Sequence, residues 1–209
     1  DDIFASDLMN DRYPVRVELS GSLKEDRLPL WTPLIYTGFP LQANPESGIT
    51  YPLNIFLFRF LSPSLALNIS ILLKFFLAAL FLFFYLRMIG VNPSASLFGA
   101  VAFSWCGFFI AHVKHLNMHD AGIWLPLLLI FLERFRRQRR LLWLLLVAIT
   151  LGIQTLACHP QITYYTILFL ISYFLWQELS ATKGLHARAM ALIYLGLILI
   201  LGLGIGMIQ

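Results

Sequence analysis

The sequence predicts an all-α, polytopic membrane protein. Hydrophobic residues make up 59% of the chain and charged residues 12%, against about 25% charged in a soluble domain. Mean hydropathy is +0.76, and nearly uncharged segments recur at lengths that match membrane spans. The formal charge is +4. Its basic residues flank the apolar segments instead of gathering on one soluble face, which argues against a nucleic-acid partner and for membrane lipids.

Residues 1–62 are predicted to form a large loop on one side of the membrane. Residues 1–50 hold eight of the eleven acids, mixed with Tyr13, Trp31, Tyr36 and Phe39. Disordered segments are poor in aromatics, so an ordered loop is expected. A short helix is predicted over 12–19. Residues 51–61, YPLNIFLFRFL, are too short to span and fit an interfacial or re-entrant helix.

Residues 63–209 are predicted to form a bundle of about six helices, at 64–87, 96–111, 118–132, 141–157, 162–176 and 189–209. Pro63 suits a helix start, where its missing donor is not needed. Lys74 falls inside the first span and needs a partner or access to water. The stretch 108–135 opens into His112, Lys114, His115, His119 and Asp120, then closes into an apolar run before the basic segment 134–140. Gly196, Gly202, Gly204 and Gly206 in the last span allow close helix packing, and the last three equally suit a loosened helix end. The abrupt edges of the sequence predict a piece of a longer chain, with a span preceding Asp1. Cys106 and Cys158 have neither disulfide nor metal-motif spacing.

Charge sets the expected topology. If six spans alternate, one side carries eight basic residues, Arg87, Arg134, Arg136, Arg137, Arg139, Arg140, Lys183 and Arg188, against Glu133 and Glu178. The positive-inside rule makes that side cytoplasmic. Residues 1–62, the histidine segment 112–120 and the turn at 158–161 then converge on the opposite, extracytoplasmic face.

Several groups there are candidates for chemistry. Asp7 and Asp11, four apart, share a face if helical, and a carboxylate tuned by burial can act as a general base. A solvated acidic loop is the simpler alternative. His115 and His119 have the spacing of a helical metal pair, beside Asp120, but lack a full motif. Interfacial hydrogen bonds or phosphate contacts are the other role for this segment, with His112 and Lys114 as sources of positive charge. His159 and Gln161 flank Pro160, where they either present polar groups at the bundle mouth or cap a helix. Lys74 is either a structural ion-pair member or a partner of a buried anion.

The ordered set Ser6-Asp7-Leu8, Tyr13-Pro14, residues 28–33 (LPLWTP), 38–41 (GFPL), 51–54 (YPLN), 115–117 (HLN), 124–126 (WLP), 132–134 (LER) and 159–161 (HPQ) resembles the YfhO-like bacterial membrane proteins, within the GT-C superfamily of polytopic glycosyltransferases. The resemblance implies a GT-C-like bundle with a large extracytoplasmic first loop, in the bacterial plasma membrane. It implies transfer of a sugar from a polyprenyl-phosphate-linked donor to a cell-envelope acceptor, such as teichoic acid. Asp7 matches the family's loop carboxylate, although Ser6 stands where the family usually has glycine. Arg12, Lys74, His112, Lys114 and His115 are then candidate positive groups that bind the carrier phosphate, with His119, Asp120, His159 and Gln161 nearby. No obligatory cofactor is implied, and a divalent metal stays open because metal dependence varies across the superfamily. Two other classes fit the composition: a transporter or flippase of a lipid-linked or anionic substrate, and a non-catalytic envelope-assembly protein.

Overall fold

The computed structural model describes residues 8–35, 37–44, 46–181 and 184–208. Among them, regular structure is helical apart from a single antiparallel bridge between Thr32 and Phe39. A π-helical turn, Leu8–Arg12, runs into α1 (Tyr13–Lys24). A loop leads to α2 (Pro52–Phe60) and α3 (Pro63–Met88), then α4 (Pro93–Ser104), α5 (Gly107–Ala111), α6 (Leu116–Gly122) and α7 (Leu125–Gln138). The chain ends with α8 (Leu141–Leu156), α9 (Pro160–Ala181) and α10 (Leu185–Gly206).

Helix starts follow the prolines. Pro52, Pro63, Pro93 and Pro160 each open a helix, where φ is already suitable and the absent N–H costs nothing. Asn92 adds a cap to α4, its Oδ1 accepting from the Ala95 N–H at 2.8 Å.

Among the described residues, four helical segments are long and apolar enough to cross a membrane: Pro63–Met88, Pro93–Ala111, Leu116–Gln138 and Arg188–Gly206. Leu141–Leu156 is apolar but shorter. Two segments expected to be continuous are broken. The second is interrupted at Trp105 and Cys106, where Cys106 takes an extended backbone and Gly107 restarts the helix. The third breaks at Ile123 and Trp124, just before Pro126. That proline cannot donate back to Gly122, and its ring crowds the preceding turn. α7 then continues past 132 through Gln138, because Glu133 pairs with Arg136 and Arg137 one turn on.

α7, α8, α9 and α10 share one core, with Leu128, Leu132, Phe135, Leu151, Phe174 and Ile198 buried in it. α8 and α10 touch through glycine. A Cβ on Gly152 would sit 2.7 Å from Ile205, and one on Gly202 2.9 Å from Leu151. Gly196 and Gly204 face open space. The helix stays intact through Gly206, so close packing is the use of Gly202, not a loosened end. A second core lies under the loop, where Leu19, Leu41, Ile49, Phe58, Ala66 and Leu116 are buried together. α2 buries Asn54, Leu57 and Phe58 there and leaves Phe56 and Phe60 exposed, one face in and one out.

The bundle has two polar ends of different character. At one, Glu178 of α9 binds Arg136 and Arg139. At the other, the Tyr13 hydroxyl meets Ser64 Oγ at 2.8 Å, and Gln42 Nε2 donates to the Ile208 carbonyl at 2.8 Å, beside the close of α10.

Candidate functional site

The loop-bearing end is built around α6. Lys74 projects from α3 and places Nζ 2.9 Å from Asp120 Oδ1, with both side chains 1% exposed. The ammonium also reaches the Leu116 carbonyl at 3.4 Å. Asp120 meets no further side-chain donor among the described residues. Lys74 thus has the partner that an intramembrane cation requires.

Above the pair, the loop 46–54 is tied down by buried polar groups. The Tyr51 hydroxyl donates to the Asp120 carbonyl at 3.4 Å and accepts from Trp124 Nε1 at 3.1 Å. Burial pushes its pKa well above the ordinary phenol value, and the Asp120 charge adds to this. Arg16 of α1 is buried and donates from Nη1 to the Ser47 carbonyl at 2.5 Å. Burial lowers its pKa while Asp120 opposes, and a guanidinium stays charged regardless. Gly48 is required here. Its φ is +56°, and a Cβ would come 2.8 Å from Arg16 Nη2.

Asn117 joins the three polar regions. Its Nδ2 donates to the Glu46 carbonyl at 2.7 Å and to the Cys158 carbonyl at 3.3 Å. One side chain thereby links the N-terminal loop, α6 and the turn between α8 and α9. Beside it lies a cavity of about 50 Å³ lined by Arg12, Glu46, His115, Asn117, Met118 and His159. That is room for a few waters or an oxyanion, and not for a sugar. Arg12 forms an ion pair with Glu46 and lies 3.4 Å from Asp11. His159 Nδ1 accepts from the Ile162 N–H at 3.3 Å, capping α9 and leaving Nε2 to carry the proton. Burial holds its pKa below the usual imidazole value, with Glu46 opposing.

The remaining candidates separate from this cavity. Asp11 is 55% exposed, and Asp7 lies outside the described residues. His119 is buried edge-on to Phe75 and Phe109, with Nε2 bonded to the Phe109 carbonyl at 2.5 Å. His115 precedes α6 and faces the cavity instead, so the i,i+4 spacing does not bring these two imidazoles to one ligand. Among the described residues, no group of three or more His, Cys, Asp or Glu is placed to hold a metal ion. His112 binds the Phe108 carbonyl through Nδ1 at 2.8 Å, its ring 5.7 Å from that of His115. Lys114 is half-buried between α5 and α6. Gln161 donates to the Tyr165 hydroxyl at 3.0 Å on the surface. Lys74 and Asp120 pair with one another and do not line the cavity. Burial pushes the Cys158 thiol up to about 11, which leaves it unreactive.

Glu46, Arg16 and Asn117 organise this end, and sequence reasoning did not single them out. Asn117, Tyr51 and Trp124 did lie in stretches marked by their order. Nothing in the sequence marks Arg16 as buried, since a basic residue in a short loop helix normally faces water.

Fold and site define a multi-span helical membrane protein with a pinned loop over a small polar cavity at one end. The family model described as bacterial membrane protein YfhO matches residues 49–209, and the chain belongs to that family. Asp7, Asp11 and Arg12 precede the matched residues. No curated protein and no solved structure matches the chain.

Proposed function

We propose that the protein is a membrane glycosyltransferase. It takes a sugar from a polyprenyl-phosphate-linked donor and transfers it to a cell-envelope acceptor, such as teichoic acid, at the outer face of the bacterial plasma membrane. The observation that carries this reading is the convergence of Arg12, His115, Asn117 and His159 on one cavity, at the bundle end opposite the Arg136–Arg139–Glu178 cluster. YfhO family membership supports it. In this orientation residues 1–62 are extracytoplasmic.

The cavity is too small for the sugar, so the donor lies across its mouth. The polyprenyl chain rests against the spans and the phosphate meets Arg12 and His115. Asp7 takes the proton from the acceptor hydroxyl as that oxygen attacks the anomeric carbon. The bond from that carbon to the phosphate oxygen breaks, and the phosphate leaves with the electron pair. Positive donors fixed beforehand stabilise the charge developing on it. Asp11, exposed and four residues on, is the second candidate base, while Lys114 and His112 flank the approach.

The Lys74–Asp120 pair favours a second reading, a transporter or flippase, since intramembrane charges often mark a substrate path. Their mutual neutralisation in a dry setting fits a structural pair better. The test is sugar transfer from polyprenyl-phosphate sugars in membranes, comparing wild type with Asp7→Asn at equal expression. The proposal expects transfer to be lost in the variant while carrier binding persists. Undiminished transfer removes Asp7 as the base.

A further inference from the structure

On the side away from the polar cavity, α3 and α7 leave an open groove of about 510 Å³ between them. Leu80 and Phe84 of α3 and Leu127 and Ile130 of α7 form its walls, and Arg87 and Arg134 stand at its rim. Both helices belong to segments apolar enough to span, so the walls lie where lipid chains lie. The rim sits at the basic end of the bundle.

The two arginines retain capacity for an anion. Arg87 donates from Nη1 to the Val91 carbonyl at 2.6 Å. The Arg134 guanidinium carbon lies 5.7 Å from the centroid of the Trp143 ring, which orients it without using its donors. Neither meets a carboxylate among the described residues. Glu133, next to Arg134 in sequence, is already taken by Arg136 at 2.5 Å and Arg137 at 2.8 Å. A guanidinium offers five N–H donors in a fork matched to phosphate oxygens. Each rim arginine therefore keeps several for a ligand.

We propose that this groove binds an anionic phospholipid of the cytoplasmic leaflet. The acyl chains lie along Leu80, Phe84, Leu127 and Ile130, and the headgroup phosphate sits between Arg87 and Arg134. Charge complementarity selects this occupant, because two guanidinium groups at the membrane boundary match an anionic phosphate, and basic pockets between spans on the cytoplasmic side recruit such headgroups. A bound lipid would tie the end of α3 to α7 across the groove. The proposal does not depend on glycosyl transfer. It shares with that reading only the orientation drawn from charge.

Native mass spectrometry of the protein purified in a mild detergent tests it, with phosphatidylglycerol and phosphatidylcholine of matched acyl chains as probes. Wild type is expected to retain phosphatidylglycerol in preference to phosphatidylcholine. The double variant Arg87→Gln/Arg134→Gln is expected to lower the phosphatidylglycerol-bound fraction about tenfold, with little change for phosphatidylcholine. Ile130→Trp keeps both charges and fills the groove, and should also displace phosphatidylglycerol. Arg188→Gln, basic but off the groove, should behave as wild type. Equal retention of the two lipids by wild type, wild-type binding by the double variant or by Ile130→Trp, or an equal loss in Arg188→Gln would each overturn the proposal.

Discussion

Replacing Lys74 with methionine probes the most consequential contact in the bundle. Lys74 Nζ lies 2.9 Å from Asp120 Oδ1, both side chains are 1% exposed, and the carboxylate has no other side-chain donor among the described residues. At this separation two unit charges attract by roughly 6 kcal/mol at an effective dielectric constant of about 20, offset by several kcal/mol of desolvation per ion. Lys74→Met therefore leaves a buried carboxylate without its direct ion-pair partner, with only the more distant charge of Arg16 acting on it among the described residues, and should cost about 3–5 kcal/mol. Asp120→Leu should cost a similar amount by stranding the ammonium. The double variant Lys74→Met/Asp120→Leu removes both charges, and replacing a buried pair with apolar groups is often neutral or better. It should lie within about 1 kcal/mol of wild type, giving a coupling energy of at least about 5 kcal/mol. Equilibrium unfolding in mixed detergent micelles, followed by tryptophan fluorescence, measures all four corners of the cycle. Single variants costing less than about 1 kcal/mol, or effects that simply add, would refute the claim that these residues form a structural ion pair.

Two further outcomes follow from local geometry. Gly202→Leu should separate α8 from α10 and cost about 1–3 kcal/mol, because its Cβ would sit 2.9 Å from Leu151. Gly204→Leu on the open face should be near neutral in the same unfolding assay. His159 has a folded pKa lowered by burial, so the unfolded chain binds more protons between that value and about 6.5. Stability should be fully present above about pH 6.5 and fall as the pH drops toward the folded pKa, where protonation also removes the Nδ1 acceptor used by Ile162. A plot of unfolding midpoint against pH should be flatter in His159→Asn, which keeps a helix cap without the titration.

The helical bundle was legible because its cause is local. Apolar runs, prolines at helix starts and basic residues after them each act over one turn, and they appear directly in the order of residues. The breaks at Trp105–Cys106 and Ile123–Trp124 were less visible. Pro126 marks one of them, but a proline inside an apolar run equally suits a kinked span. The polar end was legible only as a convergence of segments. Which residues face each other there depends on contacts such as Asn117 with Glu46 and Cys158, 71 and 41 positions away, and sequence periodicity does not encode these. The spacing of His115 and His119 suggested a shared ligand on the premise of a continuous helix. The helix begins after His115, and the two rings part. Lys74 demanded a partner on energetic grounds, and Asp120 stood among the named residues, but their pairing is a tertiary fact.

The most direct measurement is turnover of a polyprenyl-phosphate-linked sugar by the protein in proteoliposomes, with the carrier titrated against wild type and Arg12→Gln. Arg12 lines the cavity beside His115 and His159, where the proposed function puts the carrier phosphate. Wild type is predicted to transfer sugar, and Arg12→Gln to raise the apparent KM for the carrier about tenfold, with a smaller effect on kcat. Absence of transfer by wild type with every donor offered, or an unchanged KM in Arg12→Gln, would contradict the account.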